Sequence, residues 1–117
     1  MSDSIELNTE IARKVFRHVV LMEEDEIFVL NKDTKEKSLL PPYSTDVKTA
    51  HEIISKLKSF GAMFNVKSEV ENGELLWIVE IKHSNVPGVV FRMTEAELPL
   101  AICKVTLQFL NVVELVD

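Results

Sequence analysis

The dipeptide Asn72-Gly73 constrains this chain more than any other pair of residues. A type I′ hairpin turn requires positive φ at both central positions, and asparagine followed by glycine is the pair that tolerates this best. Phe64 to Val70 alternates before it, with Phe64, Val66 and Val70 on one side and Asn65, Lys67 and Glu69 on the other. Leu75 to Lys82 returns after it. A two-residue loop predicts the pairs Val70–Leu75, Ser68–Trp77, Val66–Val79 and Phe64–Ile81. Both strands then place their apolar set on one face, an agreement that a one-residue slip would destroy. On the reverse face Glu69 meets Leu76 and Lys67 meets Ile78, so that side is mixed.

A strong antiparallel hairpin needs something to cover its apolar face, and the flanking segments read as helices. The stretch Leu39-Leu40-Pro41-Pro42-Tyr43-Ser44-Thr45-Asp46 divides the chain. Its prolines hold Leu39 to Tyr43 extended. Ser44, Thr45 and Asp46 are all N-cap types. The helix they launch runs to about Phe60, with Val47, Ala50, Ile54 and Leu57 on one face and Gly61 as its stop. Upstream, residues 7–20 read as a helix on the apolar spacing of Leu7, Ile11, Val15 and Phe16. Its late basic cluster, Arg13, Lys14, Arg17 and His18, is either an anion patch or a solvated helix face; the second reading is the ordinary one. The acidic run Glu23 to Glu26 reads as a solvated loop. Ile27 to Leu30 is a short strand, Asn31 to Thr34 a turn, and Lys37 to Leu40 a returning strand.

Past the hairpin, residues 83–88 form a loop and Val89 to Met93 another strand. The last helix begins between Glu95 and Pro99, and Thr94 with Glu97 has capping-box spacing. Leu100, Cys103, Leu107 and Leu110 make one apolar stripe, and Ala101, Ile102, Val105, Phe109, Val112 and Val113 a second. A helix so apolar is either central in the fold or buries one side against a second subunit. The expected architecture is a single α+β domain over residues 1–117, an antiparallel sheet packed with helices in layers (an α/β/α-type sandwich). Its order is α-β-(β)-α-β-β-β-α, and a homodimer through the last helix is expected.

Net charge of −6 argues against a general nucleic-acid binder, since phosphate neutralisation needs concentrated Lys and Arg. No apolar run reaches the roughly 18 residues of a membrane span, and no leader-like stretch follows Met1. The expectation is a cytoplasmic protein without membrane association. Cys103 is the only cysteine, which leaves no internal disulfide and no cysteine-based zinc site.

Catalytic motifs fail on inspection. His51-Glu52-Ile53-Ile54-Ser55 opens like a zinc-protease helix, but Ser55 stands where the second imidazole is required. Cys103 beside Lys104 resembles an activated thiol in composition; between Leu100 and Leu107 it reads as a buried small hydrophobe. No cofactor is implied. Ligand binding is the stronger candidate. Ser44 and Thr45 offer hydroxyls and N–H groups at a helix start, which favours anions. Tyr43 and Trp77 supply aromatic surfaces for a base, and Arg92 or Lys104 a charge for a phosphate. The competing reading is structural: capping for Ser44 to Asp46, core anchoring for Tyr43 and Trp77. Asp46 already brings a carboxylate to that terminus.

The segment Pro41-Pro42-Tyr43-Ser44-Thr45-Asp46, opening a helix through Ala50, resembles the signature of the phage ABA sandwich domain family. Leu98-Pro99-Leu100-Ala101-Ile102-Cys103-Lys104 resembles its second recurrent stretch, and Trp77 lies in a strand between the two. The resemblance runs from the first helix to about Leu110. It departs where the family often carries tryptophan and glycine after the first helix; here stand Leu21, Met22 and the acidic run. It implies a helix/sheet/helix layered fold and a phage or prophage setting, with no general activity. The expected function is a non-enzymatic accessory protein that captures a small anionic ligand, such as a host nucleotide signal used in defence. The alternative is a module that binds a host or phage protein through its acidic or apolar surface.

Overall fold

The computed structural model describes residues 3–115. Its elements are α1 (Asp3–Lys14), β1 (Val19–Glu23), β2 (Glu26–Leu30), β3 (Lys37–Leu39), α2 (Val47–Lys58), β4 (Met63–Glu71), β5 (Glu74–Lys82), β6 (Phe91–Glu95) and α3 (Leu98–Leu110). The class is α+β as expected, and all strand pairing is antiparallel. The strands divide into two sheets of three, ordered β1-β2-β3 and β4-β5-β6.

The hairpin of β4 and β5 has the predicted register throughout, including Val70–Leu75, Ser68–Trp77, Val66–Val79 and Phe64–Ile81. Asn72 (φ 53) and Gly73 (φ 80) supply the two positive dihedrals. β6 joins the other edge of β5, pairing Ile81 with Phe91 and Val79 with Met93. It lies two residues later than expected: Val89 and Val90 remain exposed in the preceding loop.

α2 begins on Asp46, whose side chain accepts from the Thr49 backbone N–H at 3.0 Å. Its buried face is Ala50, Ile53, Ile54 and Leu57, while Val47 faces outward. The helix ends in a Schellman motif. Ala62 N–H bonds Leu57 C=O, Gly61 N–H bonds Lys58 C=O, and Gly61 sits at φ 90 where glycine is favoured.

α3 is the centre of the molecule. It packs against β5 and β6 on one side and against α1 and α2 on the other, while α1 also contacts β1. Ala101, Ile102, Cys103, Val105, Thr106 and Phe109 are fully buried. Large side chains so placed contribute roughly 1.5–3 kcal/mol each. Of the two apolar stripes of this helix, Ala101, Ile102, Cys103, Val105 and Phe109 are buried within the chain, whereas Leu100, Leu107 and Leu110 are only partly covered and Val112 is exposed. Its N-cap is Glu97, with Pro99 in the first turn. The capping box is not formed, because Thr94 belongs to β6 and pairs with Ile78.

The first third differs most from expectation. α1 starts at Asp3 and ends at Lys14, not at residue 20. Arg17 in the left-handed region (φ 56) turns the chain, and His18 N–H closes on Ala12 C=O at 3.0 Å. Val19 to Glu23 is a strand paired with β2. The acidic run is the tip of that hairpin, where Glu24 (φ 48) and Asp25 (φ 67) occupy the turn.

Candidate functional site

The residues that the sequence offers for a ligand do not gather in one place. Tyr43 is 2% exposed, stacked on Phe16 with ring centroids 5.2 Å apart. Burial, followed by the negative charge of Glu52, pushes its hydroxyl pKa up. Ser44 is equally buried, and its N–H donates to Asn8 Oδ1 at 2.8 Å. Thr45 is exposed, and its N–H bonds Pro42 C=O. The start of α2 is therefore occupied by its own chain. Hydrogen bonds from Thr49 hold the Asp46 carboxyl below its ordinary range.

Trp77 is half-buried and pairs with Glu95, whose carboxylate accepts from Lys104 Nζ at 2.9 Å. Lys104 also lines a shallow cleft with Glu6, Leu7 and Glu10. Arg92 lies on the other face of the sheet. Its Nε donates to Glu80 at 2.8 Å, and Asn65 donates to the same carboxylate at 3.1 Å. Those bonds, that from Arg92 foremost, lower the Glu80 pKa against the cost of its burial. Each of these charges has a partner within the chain.

A different cluster lies where α1 meets β1. Val15, Phe16, Arg17 and His18 face the turn residues Asn31, Lys32 and Asp33, together with Lys56 from the last turn of α2 and Phe60 just beyond it. They line a cleft of about 280 Å³. A contiguous depression of about 490 Å³ shares Arg17, His18 and Lys32 and adds Arg13, Val19 and Val20. Three separated segments thus bring Arg13, Arg17, His18, Lys32 and Lys56 to one edge of an acidic protein.

Local chemistry explains how each is held. Asn31 Oδ1 accepts from the N–H groups of Asp33 and Thr34 at 2.9 and 3.2 Å, an Asx turn that presents Lys32. The Arg17 guanidinium bonds the Leu115 carbonyl and lies 5.9 Å from the Phe60 ring centroid; Lys56 Nζ lies 5.5 Å from it. Such cation–ring contacts hold charge against an apolar wall. His18 Nδ1 is buried without a hydrogen-bond partner. Burial first, then the Lys56 charge, lowers the His18 pKa and favours the neutral ring. An anion entering the cleft would reverse that electrostatic balance.

Cys103 is fully buried, and burial pushes its thiol up to about 12. His83 is committed to structure. The Asn85 N–H donates to its Nδ1 at 3.0 Å, so Nε2 carries the proton that bonds Phe60 C=O at 2.8 Å.

Helix spacing could reveal only the first part of the basic cluster. Lys32 and Lys56 reach it through tertiary folding, and no local pattern marks them. Among the described residues, no helix is long and apolar enough to cross a membrane.

The model of the phage ABA sandwich domain matches residues 9–107. No curated protein and no solved structure matches significantly. The matched segment holds both recurrent stretches and nearly every core residue, so the chain belongs to the phage ABA sandwich domain family.

Proposed function

We propose that this phage-associated domain is a non-enzymatic binding protein acting in the host cytoplasm, with a small anion carrying a flat ring, the chemistry of a nucleotide, as its ligand. The observation that carries this reading is the convergence of Arg17, His18, Lys32 and Lys56 on one cleft walled by Phe16 and Phe60. Cationic donors suit phosphate oxygens, and aromatic walls suit a base. The cleft itself is near the lower end of small-molecule sites, and the neighbouring depression extends it. Host nucleotide signals of antiviral defence are the ligands that the phage setting recommends testing first.

The test is thermal unfolding against inorganic phosphate, mononucleotides and cyclic dinucleotides. A ligand at 100 times its dissociation constant adds about 2.7 kcal/mol of stability. Lys32→Ala and Lys56→Ala should abolish the shift, while Arg92→Ala and Lys104→Ala should preserve it. No shift with any compound, or a shift indifferent to Lys32 and Lys56, would reject the reading. A shift with phosphate equal to that with nucleotides would remove the ring from the proposal.

A second reading, a module that binds a host or phage protein, is favoured by the β1–β2 hairpin. Glu23 to Glu26 are all exposed at its tip, beside Met22 at 66% exposure. Retention of a basic host protein, lost on replacing Glu24 and Glu26 with lysine, would support it; retention unchanged by those replacements would remove the acidic tip from it.

A further inference from the structure

The second sheet has an open edge. β4 is nine residues long and pairs only with β5, and residues 65–75 are all exposed. Val66, Val70 and Leu75 are 40%, 70% and 51% exposed on the face that α3 covers further along. A long edge strand with exposed apolar side chains is a template for another strand unless its charges forbid the match.

The turn decides which backbone groups are available. In a two-residue hairpin loop, Glu71 and Glu74 are the outer residues of the turn and exchange hydrogen bonds. Alternation along an antiparallel ladder then directs the N–H and C=O groups of Asn65, Lys67 and Glu69 towards β5. Those of Phe64, Val66, Ser68 and Val70 point away from the sheet.

We propose that a second copy of this chain occupies the edge, with the two β4 strands antiparallel about a two-fold axis at Ser68. This surface differs from the last helix and is independent of the basic cleft. With the axis there, Ser68 bonds Ser68 of the second copy, and Val66 bonds Val70 of the second copy in both directions. Every bonded pair draws on outward-facing groups. On one face Leu75, Val70, Val66 of the second copy and Val79 of the second copy form a continuous apolar row. On the other face Lys67 stands opposite Glu69 of the second copy, twice by symmetry. Lys67 is half exposed and only 3.6 Å from Glu80, so it can serve both carboxylates.

The same charges select the register. Moving the axis one residue in either direction sets Lys67 against Lys67 of the second copy, or Glu69 against Glu69 of the second copy. Opposed like charges across strands are destabilising. Self-complementarity of one patch is the requirement for a two-fold interface, and of these three registers only the one centred on Ser68 meets it.

Sedimentation over a dilution series at moderate ionic strength is the test. The wild-type chain should reach twice its 13.3 kDa. Ser68→Pro, which removes an outward N–H but no bond to β5, should be monomeric with an unchanged circular dichroism spectrum. Lys67→Glu alone and Glu69→Lys alone should each be monomeric. An equimolar mixture of those two should return to the doubled mass, because every opposed pair is then oppositely charged. A wild-type chain that stays monomeric, single variants that dimerise as well as wild type, or a mixture that stays monomeric would overturn the proposal. The first outcome would leave the edge to a strand of another protein.

Discussion

Asn8 in α1 accepts a buried hydrogen bond from the backbone N–H of Ser44, 36 residues away. This bond ties α1 to the segment that leads into α2. Replacing Asn8 with alanine leaves the Ser44 N–H buried without a partner, which costs about 1–3 kcal/mol. Ser44→Ala keeps the backbone bond and loses only a long contact from its hydroxyl to Ser4, so it should cost clearly less. Urea denaturation of the two variants checks the order; equal losses would contradict it.

Thr106 presents the opposite case. It is fully buried in α3, and its hydroxyl has no hydrogen-bond partner. Thr106→Val keeps the shape and removes an unsatisfied polar atom. Stability should rise by about 1 kcal/mol, in line with the cost of an unmet buried hydroxyl. A fall in the urea midpoint would show that the hydroxyl is satisfied in solution.

The Cys103 thiol should behave as a core methyl group does. With no exposure and a pKa raised to about 12, it should react with an aromatic disulfide reagent only as the protein unfolds. Labelling should be slow in buffer and complete in denaturant. Rapid labelling in buffer would place the thiol outside the core.

His18 sets a pH dependence whose sign follows from its lowered pKa. Between that lowered value and the ordinary 6.5, the unfolded chain binds the proton and the folded chain resists it. The His18 contribution is therefore intact above about pH 6.5 and is lost as pH falls through that window. His18→Gln should flatten the slope of stability there. A bound anion favours the protonated ring, so sulfate, whose charge is constant across the window, should bind more tightly at its acidic end. Calorimetric titration at several pH values checks this; affinity independent of pH in the wild-type chain would separate His18 from the site.

Elements whose evidence is local were readable from the sequence. Asn72-Gly73 and the alternation around it predicted the register of β4 and β5, because a two-residue turn leaves one alignment that keeps both apolar sets on one face. Asp46 and Gly61 mark the ends of α2 through short-range hydrogen bonds. β1 was hidden because Val15 and Val19 continue a helical spacing. Its turn, Glu24-Asp25, also lacks the glycine or asparagine that most strongly announces a two-residue hairpin loop. The basic cleft was hidden for a different reason. Arg17 and His18 look like a solvated helix face until the β2–β3 turn brings Lys32 and α2 brings Lys56 to meet them.

The central position of α3 also bears on how the chain is made. Both hairpins and α2 can form from neighbouring residues soon after synthesis. Yet α1, α2, β5 and β6 all rest on a helix that is translated after them. Until Leu98 to Leu110 has left the ribosome, the apolar faces of those elements lack their common partner. Folding should thus finish late, with the nascent chain a substrate for chaperones, and a stop codon before α3 should leave an aggregating fragment rather than a smaller stable domain.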